Sequence, residues 1–268
     1  MQVIIYDDAK GVADNAAEWV ITLIQKKPNP VLGLATGSTP ISLYQVLVEQ
    51  HQLGLTSFAN VTSFNLDEYY DIADDNPQSY RSFMQHNLFD HVNIDPNKTF
   101  LPECKSGQNP KKQGVAYEKL ISEAGGVDLQ ILGIGGNGHI GFNEPSSSLA
   151  SRTRIKTLTQ QTLSDNSRLF STNEVQPTLA MTMGIATIMD ARYVLLMATG
   201  KNKAQAVKDM VTGPVSAHCP ASVLQMHENA IILLDKEAAS AIDDQHYYAW
   251  ADQQNKQLNS KFGLYHNF

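Results

Sequence analysis

Short apolar segments alternate with helical patterns along this chain of 268 residues. This alternation is typical of a parallel sheet whose two faces are covered by helices. The segments that predict strands are Val3–Tyr6, Val31–Leu34, Val61–Phe64, Leu129–Ile134, Tyr193–Ala198 and Ala230–Leu234. No repeat, low-complexity tract or linker divides the chain. We therefore expect an α/β fold with an open, mostly parallel, Rossmann-like sheet, helices on both faces, and a single domain over residues 1–268.

Composition narrows the class of protein. Hydrophobic residues make up 42% of the chain and charged residues 18%, which is enough apolar material for a substantial core. The net charge of −7 argues against a nucleic-acid surface, because phosphate contacts require clustered Lys and Arg. No apolar segment approaches the roughly 18 residues that span a bilayer, and no signal peptide is evident. We expect a cytoplasmic protein with no nucleic-acid or membrane partner.

The cysteines and histidines give no sign of a metal. The two cysteines, Cys104 and Cys219, are far apart and lack ligand spacing, so we expect free thiols in a reducing compartment. The histidines also lack ligand spacing. We expect neither a metal nor a cofactor.

A glycine-rich segment follows the predicted strand Leu129–Ile134. Residues 132–145 read Leu-Gly-Ile-Gly-Gly-Asn-Gly-His-Ile-Gly-Phe-Asn-Glu-Pro. Glycines allow a tight turn and a close approach of the backbone to a ligand. His139 and Glu144 follow in this turn, at the carboxyl end of a strand, where α/β folds bind ligands. The segment therefore predicts acid–base chemistry.

The same glycines also satisfy the dinucleotide pattern G-x-G-x-x-G. The pattern is formed by Gly133, Gly135 and Gly138. That fingerprint requires a helix directly after the glycines and an acidic residue about 20 positions later. Here Pro145 and a serine run follow, and no Asp or Glu lies between Glu144 and Asp165. We do not expect a nicotinamide cofactor.

Residues Ala35–Pro40 follow the second predicted strand and are typical of a phosphate-binding turn. Gly37 permits the turn, Ser38 and Thr39 supply hydroxyl groups, and Thr39 and Pro40 suit the N-cap and first position of a helix. The unpaired amides of a helix start favour an anion. An ordinary capped turn explains the same residues.

Asp67 and Glu68 follow the third predicted strand. Surface acids in a loop are one interpretation. However, the carboxyl ends of parallel strands share one edge, so we expect Asp67 to lie near His139 and the Ala35–Pro40 turn. A carboxylate, a histidine and an anion-binding turn at one edge suit proton transfer on a phosphorylated substrate.

One basic stretch stands out in an acidic chain. It reads Ser-Arg-Thr-Arg-Ile-Lys-Thr over residues 151–157. If it is extended, Arg152, Arg154 and Lys156 lie on one face. This face is either a solvated surface or a second anion site.

Four segments together resemble the glucosamine-6-phosphate deaminase family. They are Leu32–Pro40, Ser63–Tyr69, Leu132–Pro145 and Ser148–Thr157, and the phrase Gly-His-Ile-Gly-Phe-Asn-Glu-Pro is specific to the family. The resemblance runs in order from near residue 1 to about residue 250. It implies conversion of glucosamine 6-phosphate and water to fructose 6-phosphate and ammonia, without a cofactor and with sugar phosphates as partners.

The resemblance also implies catalytic roles. Asp67 would move the proton at C2 during aldose–ketose isomerisation, and His139 would open the pyranose ring. Asn137 and Glu144 would hold and tune His139. Many members carry Asp at the position of Asn137 and others carry Asn. A neutral amide cannot stabilise an imidazolium as a carboxylate does.

The phosphate-binding residues implied in the same way are Ser38, Thr39, Arg168 and Lys203. Taken alone, Arg168 and Lys203 look like ordinary surface cations. The segment at about 158–180 corresponds to the family's mobile lid over the site.

In hexameric members of the family, N-acetylglucosamine 6-phosphate binds between subunits and activates the enzyme. The matching positions here are Ser147, Arg154, Lys156 and Thr157, with Tyr248 as the candidate for the allosteric tyrosine beside Tyr247. We expect a homo-oligomer, a hexamer, that this effector activates. Residues 262–268 have no counterpart.

Two other functions suit the same fold. The related 6-phosphogluconolactonases share the fold and the phosphate turn but lack the His139 phrase in this form, and a lactonase needs no proton transfer at C2. A catalytically silent sugar-phosphate sensor would need neither Asp67 nor His139. Release of ammonia from glucosamine 6-phosphate separates a deaminase from both.

Overall fold

The computed structural model describes residues 1–167, 170 and 176–262, and in this part of the chain two sheets form. The strands are β1 (Gln2–Tyr6), β2 (Val31–Leu34), β3 (Thr62–Asn65), β4 (Asp67–Tyr69), β5 (Thr99–Phe100), β6 (Leu129–Leu132), β7 (Arg154–Thr157), β8 (Leu179–Thr182), β9 (Tyr193–Ala198) and β10 (Ala230–Asp235). The helices are α1 (Ala9–Lys26), α2 (Ser38–Gln52), α3 (Tyr80–Asn87), α4 (Pro110–Glu123), α5 (Gln160–Ser167), α6 (Ile185–Met189), α7 (Ala204–Thr212) and α8 (Gln245–Phe262).

The main sheet is parallel throughout. Its seven strands lie in the order β1-β10-β9-β6-β2-β3-β5, and each neighbouring pair runs in the same direction. Every residue of β2, β6 and β10 is buried, which requires cover on both faces of the sheet. The predicted α/β class and the parallel sheet are confirmed.

Helix α1 illustrates how the sequence pattern directs packing. The carboxylate of Asp8 accepts a hydrogen bond of 2.8 Å from the amide of Gly11, which pairs one of the free amides at the helix start. Apolar residues then recur every three or four positions and are buried in the main core; they are Val12, Ala16, Trp19, Val20 and Leu23.

The chain reverses its direction across the main sheet between β2 and β6. From β2 it passes through α2 to β3 on one side, whereas the next strand of this sheet after β6 is β9, on the other side. Such a reversal leaves a crevice at the carboxyl ends of the strands, where ligands bind in open parallel sheets. The loops after β2, β3, β6 and β9 lie at this edge.

A second, antiparallel sheet was not predicted from the sequence. It has the order β4-β8-β7, with Asp67 of β4 and Arg154 of β7 both paired with Thr182 of β8. A small apolar cluster accompanies this sheet, separate from the main core; it contains Tyr69, Ile72, Phe142, Leu158 and Ala180. This sheet brings the end of β3 and the basic stretch together.

Several predicted boundaries shift by a few residues. The strand predicted over Leu129–Ile134 ends at Leu132, and the strand predicted over Val61–Phe64 covers Thr62–Asn65. Both cysteines are free thiols, as expected. Among the described residues, no helix is both long enough and apolar enough to span a membrane.

Candidate active site

The loop after β6 is shaped around the side chain of His139. A Cβ atom at Gly135 would lie 2.2 Å from Cε1 of the His139 ring, so a larger residue would have to displace the imidazole. The Gly135 amide donates to the His139 carbonyl over 2.9 Å, which closes the turn. Residues 133–153, all of them described, contain no helix. The glycines therefore make room for a histidine, and the helix start of a dinucleotide fingerprint is absent.

His139, Asn137 and Glu144 form one hydrogen-bonded group. Nδ1 of His139 lies 2.7 Å from Oδ1 of Asn137 and 3.3 Å from Oε2 of Glu144. Nδ2 of Asn137 donates to the same carboxylate oxygen over 2.9 Å. Because Nδ1 faces acceptor oxygens, it carries the proton of the neutral ring, and Nε2 is left to exchange a proton with a ligand. The side chain of His139 is 25% exposed and so can reach one.

Glu144 is a buried carboxylate whose charge is held by hydrogen bonds. Its side chain is only 4% exposed. Burial alone would raise the pKa of this carboxyl group, but the hydrogen bond and charge of His139, with further hydrogen bonds, lower the pKa to about 2. Oε2 faces Asn137 and His139, whereas Oε1 accepts hydrogen bonds from Thr162 and, over 3.3 Å, from Thr159. Glu144 therefore remains ionised and stabilises a positive charge on His139.

The carboxyl group of Asp67 lies against Gly141, two residues after His139. Asp67 is 5% exposed, and a Cβ atom at Gly141, where φ is +54°, would lie 3.1 Å from its Oδ2. The pKa of Asp67 is raised to about 8, mainly by burial and to a smaller degree by the negative charge of Glu68. A hydrogen bond from the Phe142 amide acts in the opposite direction and lowers the pKa. A carboxylate with a pKa this close to neutral pH can both take up and return a proton.

Glu68, the neighbour of Asp67, is also buried. Its Oε1 accepts from the amides of Tyr69 (2.8 Å) and Tyr80 (3.0 Å), and its Oε2 accepts from the amide of Arg81 over 3.0 Å. These contacts join β4 to the start of α3, where the free amides stabilise a negative charge. The interpretation of Asp67 and Glu68 as surface acids in a loop is therefore wrong.

Ser38 and Thr39 form the first turn of α2, directly after β2. The helix begins at Ser38 with Gly37, φ +105°, as its N-cap, so the sequence prediction with Thr39 as N-cap places the start too late. Ser38 is exposed and Thr39 is half-buried. Their hydroxyl groups and the free amides of the turn lie at the carboxyl edge of the sheet, where an anion can bind.

Lys203 lies at the same edge. It ends a 3₁₀ turn, Lys201–Lys203, that follows β9, and β9 pairs with β6, the strand that leads to His139. Its side chain is half-buried. Arg168, the fourth predicted phosphate ligand, lies outside the described residues.

Arg154 lies in one row with Asp67 across the small sheet. Both residues pair with Thr182 of β8, so their side chains share a face. Nη1 of Arg154 donates to Oδ1 of Asn143 over 2.9 Å, and Nδ2 of Asn143 donates to the Met183 carbonyl over 2.8 Å. The extended basic segment is thus confirmed for Arg154–Thr157, and it contacts the loop that carries His139.

The other basic-segment residues have different environments. Arg152 lies before β7 and pairs with Asp190, so of the three cations predicted to share one extended face, β7 itself carries Arg154 and Lys156. Among the described residues Lys156 forms no ion pair, and Thr157 is exposed. Ser147 is buried at 2% exposure, and its hydroxyl group has no hydrogen-bond partner in the described part of the chain.

Tyr248 lies on α8, which packs beside the edge strand β1. Its side chain is half-buried against the main core, whereas Tyr247 is 55% exposed. The basic segment belongs to the small sheet instead. Tyr248 and Lys156 therefore lie on separate elements of one chain.

Sequence reasoning missed three threonines that complete the site. Thr159 and Thr162 contact Glu144, and Oγ1 of Thr182 accepts from the Phe142 amide over 3.2 Å. Thr159 and Thr162 match the T-x-x-T pattern of a helix start, but spacing does not reveal a contact with a residue 15 or 18 positions earlier. Within the described residues, no group of three or more His, Cys, Asp or Glu is arranged to hold a metal ion.

Known proteins similar to this chain agree with the resemblance of the motifs. Residues 7–233 match the family model described as glucosamine-6-phosphate isomerases/6-phosphogluconolactonase. A Colwellia psychrerythraea protein named glucosamine-6-phosphate deaminase is 72% identical over 268 residues and covers 100% of both chains. A Pseudoalteromonas translucida protein of the same name is 63% identical over 263 residues, 98% of each chain.

Solved structures resemble the whole fold. One, described as a monomeric glucosamine-6-phosphate deaminase, matches with a TM-score of 0.86 and 41% identity over 90% of this chain and 100% of that chain. A 6-phosphogluconolactonase from Leishmania guyanensis matches with a TM-score of 0.69 and 21% identity over 90% of this chain and 98% of its own, a likeness of fold alone. The chain belongs to the family of glucosamine-6-phosphate isomerases and 6-phosphogluconolactonases.

Proposed function

We propose that this chain is a deaminase that converts glucosamine 6-phosphate and water to fructose 6-phosphate and ammonia in amino-sugar catabolism. It is thus a hydrolase acting on a carbon–nitrogen bond. Relatives 63% and 72% identical carry the name glucosamine-6-phosphate deaminase. The observation that carries the proposal is the burial of Asp67, with its pKa raised to about 8, against the loop that holds His139. Such a pair suits proton transfer at carbon beside a ring that must first be opened.

The residues divide the reaction between them. Nε2 of His139 takes the proton of the C1 hydroxyl as the bond from C1 to the ring oxygen breaks and passes that proton to the ring oxygen, which leaves an aldehyde at C1. Asp67 then removes the proton from C2 while the C1 oxygen takes a proton from the ammonium group at C2, which gives an enolamine. Asp67 returns its proton to C1, which leaves an iminium at C2. Water adds to C2, the nitrogen takes up a proton of that water and leaves as ammonium, and the ketone of fructose 6-phosphate forms. Glu144 and Asn137 hold the charged form of His139 meanwhile.

The phosphate group binds at the carboxyl edge of the sheet. We assign it to Ser38, Thr39, Lys203 and Arg168; the exposed first turn of α2 and the position of Lys203 beside β6 support this assignment. Residues 1–268 act as one deaminase domain. We assign a mobile lid to residues at about 158–180, and the contact of Thr162 with Glu144 supports this assignment for the start of α5; residues 168, 169 and 171–175 lie outside the described residues.

A second sugar-phosphate site regulates the enzyme in this proposal. N-acetylglucosamine 6-phosphate binds at the interface of a cytoplasmic homohexamer and activates it, through Ser147, Arg154, Lys156, Thr157 and Tyr248. Two cationic residues on β7, Arg154 and Lys156, support an anion site there. The exposed apolar stripe of α8, with Trp250 at 58% and Phe262 at 59% exposure, supports a contact between subunits. The solved relative at 41% identity is described as monomeric, so sedimentation is the first test of this point.

The test of the activity is release of ammonia from glucosamine 6-phosphate by the purified protein, with fructose 6-phosphate formed in equal amount. We expect both products. Hydrolysis of 6-phosphogluconolactone without ammonia would indicate a lactonase instead. Binding of the sugar phosphate without turnover would indicate a sensor.

A further inference from the structure

The two oxygens of the Glu144 carboxylate face different parts of the molecule. Oε2 lies 3.3 Å from Nδ1 of His139 and accepts from Asn137 over 2.9 Å. Oε1 accepts a hydrogen bond from the hydroxyl group of Thr162, a residue 7% exposed, and a longer one of 3.3 Å from Thr159. Glu144 therefore connects the histidine to a helix that begins 16 residues later in the chain.

The start of α5 holds these two hydroxyl groups in place. Oγ1 of Thr159 accepts from the amide of Thr162 over 3.2 Å, as an N-cap does, and the amide of Leu163 donates to the Thr159 carbonyl over 2.9 Å. The hydroxyl groups of Thr159 and Thr162 lie 3.0 Å apart. Each hydroxyl has one proton to donate, and the ionised carboxylate is the stronger acceptor. The helix start thus directs the Thr162 proton to Glu144.

A carboxylate with donors on both sides cannot rotate freely. If Oε1 lost its donors, the carboxylate could turn away from His139, and a buried charge would be left partly unpaired. Its pKa, which the present donors lower to about 2, would then rise toward its ordinary value. His139 is the titratable side chain that contacts Glu144 within the described part of the chain. Loss of the donors to Oε1 would therefore change the orientation of His139.

We propose that Thr162 is a positioning residue for the acid–base chemistry: its hydroxyl group fixes the Glu144 carboxylate so that Oε2 faces Asn137 and His139. The role in turnover rests on the proposed deaminase function. The positioning of His139 is independent of that function, because it is a property of the unliganded protein. Thr159 contributes in the same direction through its longer contact.

The experiment compares Thr162→Val, which keeps the shape but removes the hydroxyl group, with Thr162→Ser, which keeps the hydroxyl group. Thr178→Val is the matched control, because Thr178 is exposed and lies outside the Glu144 contacts. Thr162→Val should lower kcat by about 10- to 100-fold, with KM changed less than threefold. Losses of this size are expected when a side chain that orients the partner of a reacting group is removed. Thr162→Ser should recover most of the activity, and Thr178→Val should match the wild type.

The side-chain ¹⁵N spectrum of the histidines provides the second readout, with the His139 signal identified by its loss in His139→Gln. The proposal predicts a changed His139 Nδ1 signal in Thr162→Val and an unchanged one in Thr178→Val, even if the protein released no ammonia. If Thr162→Val does not fold, as judged by circular dichroism, Thr159→Val should show the same changes to a smaller degree. Wild-type kcat and an unchanged His139 signal in a folded Thr162→Val or Thr159→Val would overturn the proposal, as would a Thr162→Ser variant no more active than Thr162→Val.

Discussion

The ring of His139 occupies the space that a side chain at Gly135 would need: a Cβ atom there would lie 2.2 Å from Cε1. The next residue, Gly136, has no atom within 4 Å of its own Cβ position. Substitutions at these two neighbouring glycines therefore distinguish the loss of backbone flexibility in the loop from the loss of the space that the His139 ring occupies.

Gly135→Ala should displace His139 and lower kcat by about 100-fold, because a misplacement of about 1 Å at a reacting group costs that much. Gly136→Ala is the matched control and should retain at least half of the wild-type kcat. Steady-state ammonia release measures both. Equal losses in the two variants would show that the space above Gly135 is not what His139 requires.

The pH profile of kcat/KM should report Asp67. Asp67 must be ionised to take a proton, and its pKa is raised to about 8, so kcat/KM should rise with pH up to about that value and fall about tenfold per unit below it. Because the charge of Glu68 contributes to the raised pKa, Glu68→Gln should move the limb to lower pH. A profile that is flat between pH 6 and 8 would contradict the assignment.

Lys203→Ala should raise KM about 10- to 100-fold and leave kcat within about threefold, because a charge-assisted hydrogen bond to a phosphate is worth about 1.5–3 kcal/mol. Lys201→Ala is the control: Lys201 lies in the same 3₁₀ turn and is exposed. Initial rates over a range of substrate concentrations measure the effect. A similar KM in both variants would remove Lys203 from the phosphate site.

The two cations of the small sheet should behave differently. Arg154→Ala leaves the buried Oδ1 of Asn143 without its donor, so it should lower the free energy of unfolding by about 1–3 kcal/mol and also reduce kcat. Lys156→Ala removes no ion pair within the described residues, so it should keep the stability and weaken only activation by N-acetylglucosamine 6-phosphate. Urea unfolding and effector titrations measure the two properties. Effector-independent kinetics in the wild type would contradict the regulatory proposal.

The sequence predicted the main sheet because most of its strands lie in short, largely apolar segments that alternate with helical patterns along the chain. It did not predict the small sheet. Only Leu66 separates β4 from β3. The partner of β4, β8, begins about 110 residues later, so their antiparallel pairing leaves no local sequence pattern. Long-range pairing of short strands depends on tertiary packing rather than on propensity.

Within the site, His139 and Asp67 were predictable because both follow strands whose carboxyl ends share an edge. Glu68 was not predictable as a buried group, since its burial depends on the amides of α3. Nor was the contact between Thr162 and Glu144, which depends on how α5 returns to the site. Contacts of this kind are set by the fold.

Exchange of the C2 proton with solvent reports directly on the role of Asp67 as the base. Incubated with glucosamine 6-phosphate in deuterated water, the wild type should release ammonia and place solvent deuterium on the carbon skeleton. Asp67→Asn should lose both activities by at least about 100-fold, as expected when a general base is removed, and should still bind the sugar phosphate. If Asp67→Asn keeps more than about a tenth of wild-type kcat, against the loss expected for a general base, then Asp67 is not the base and the account is wrong.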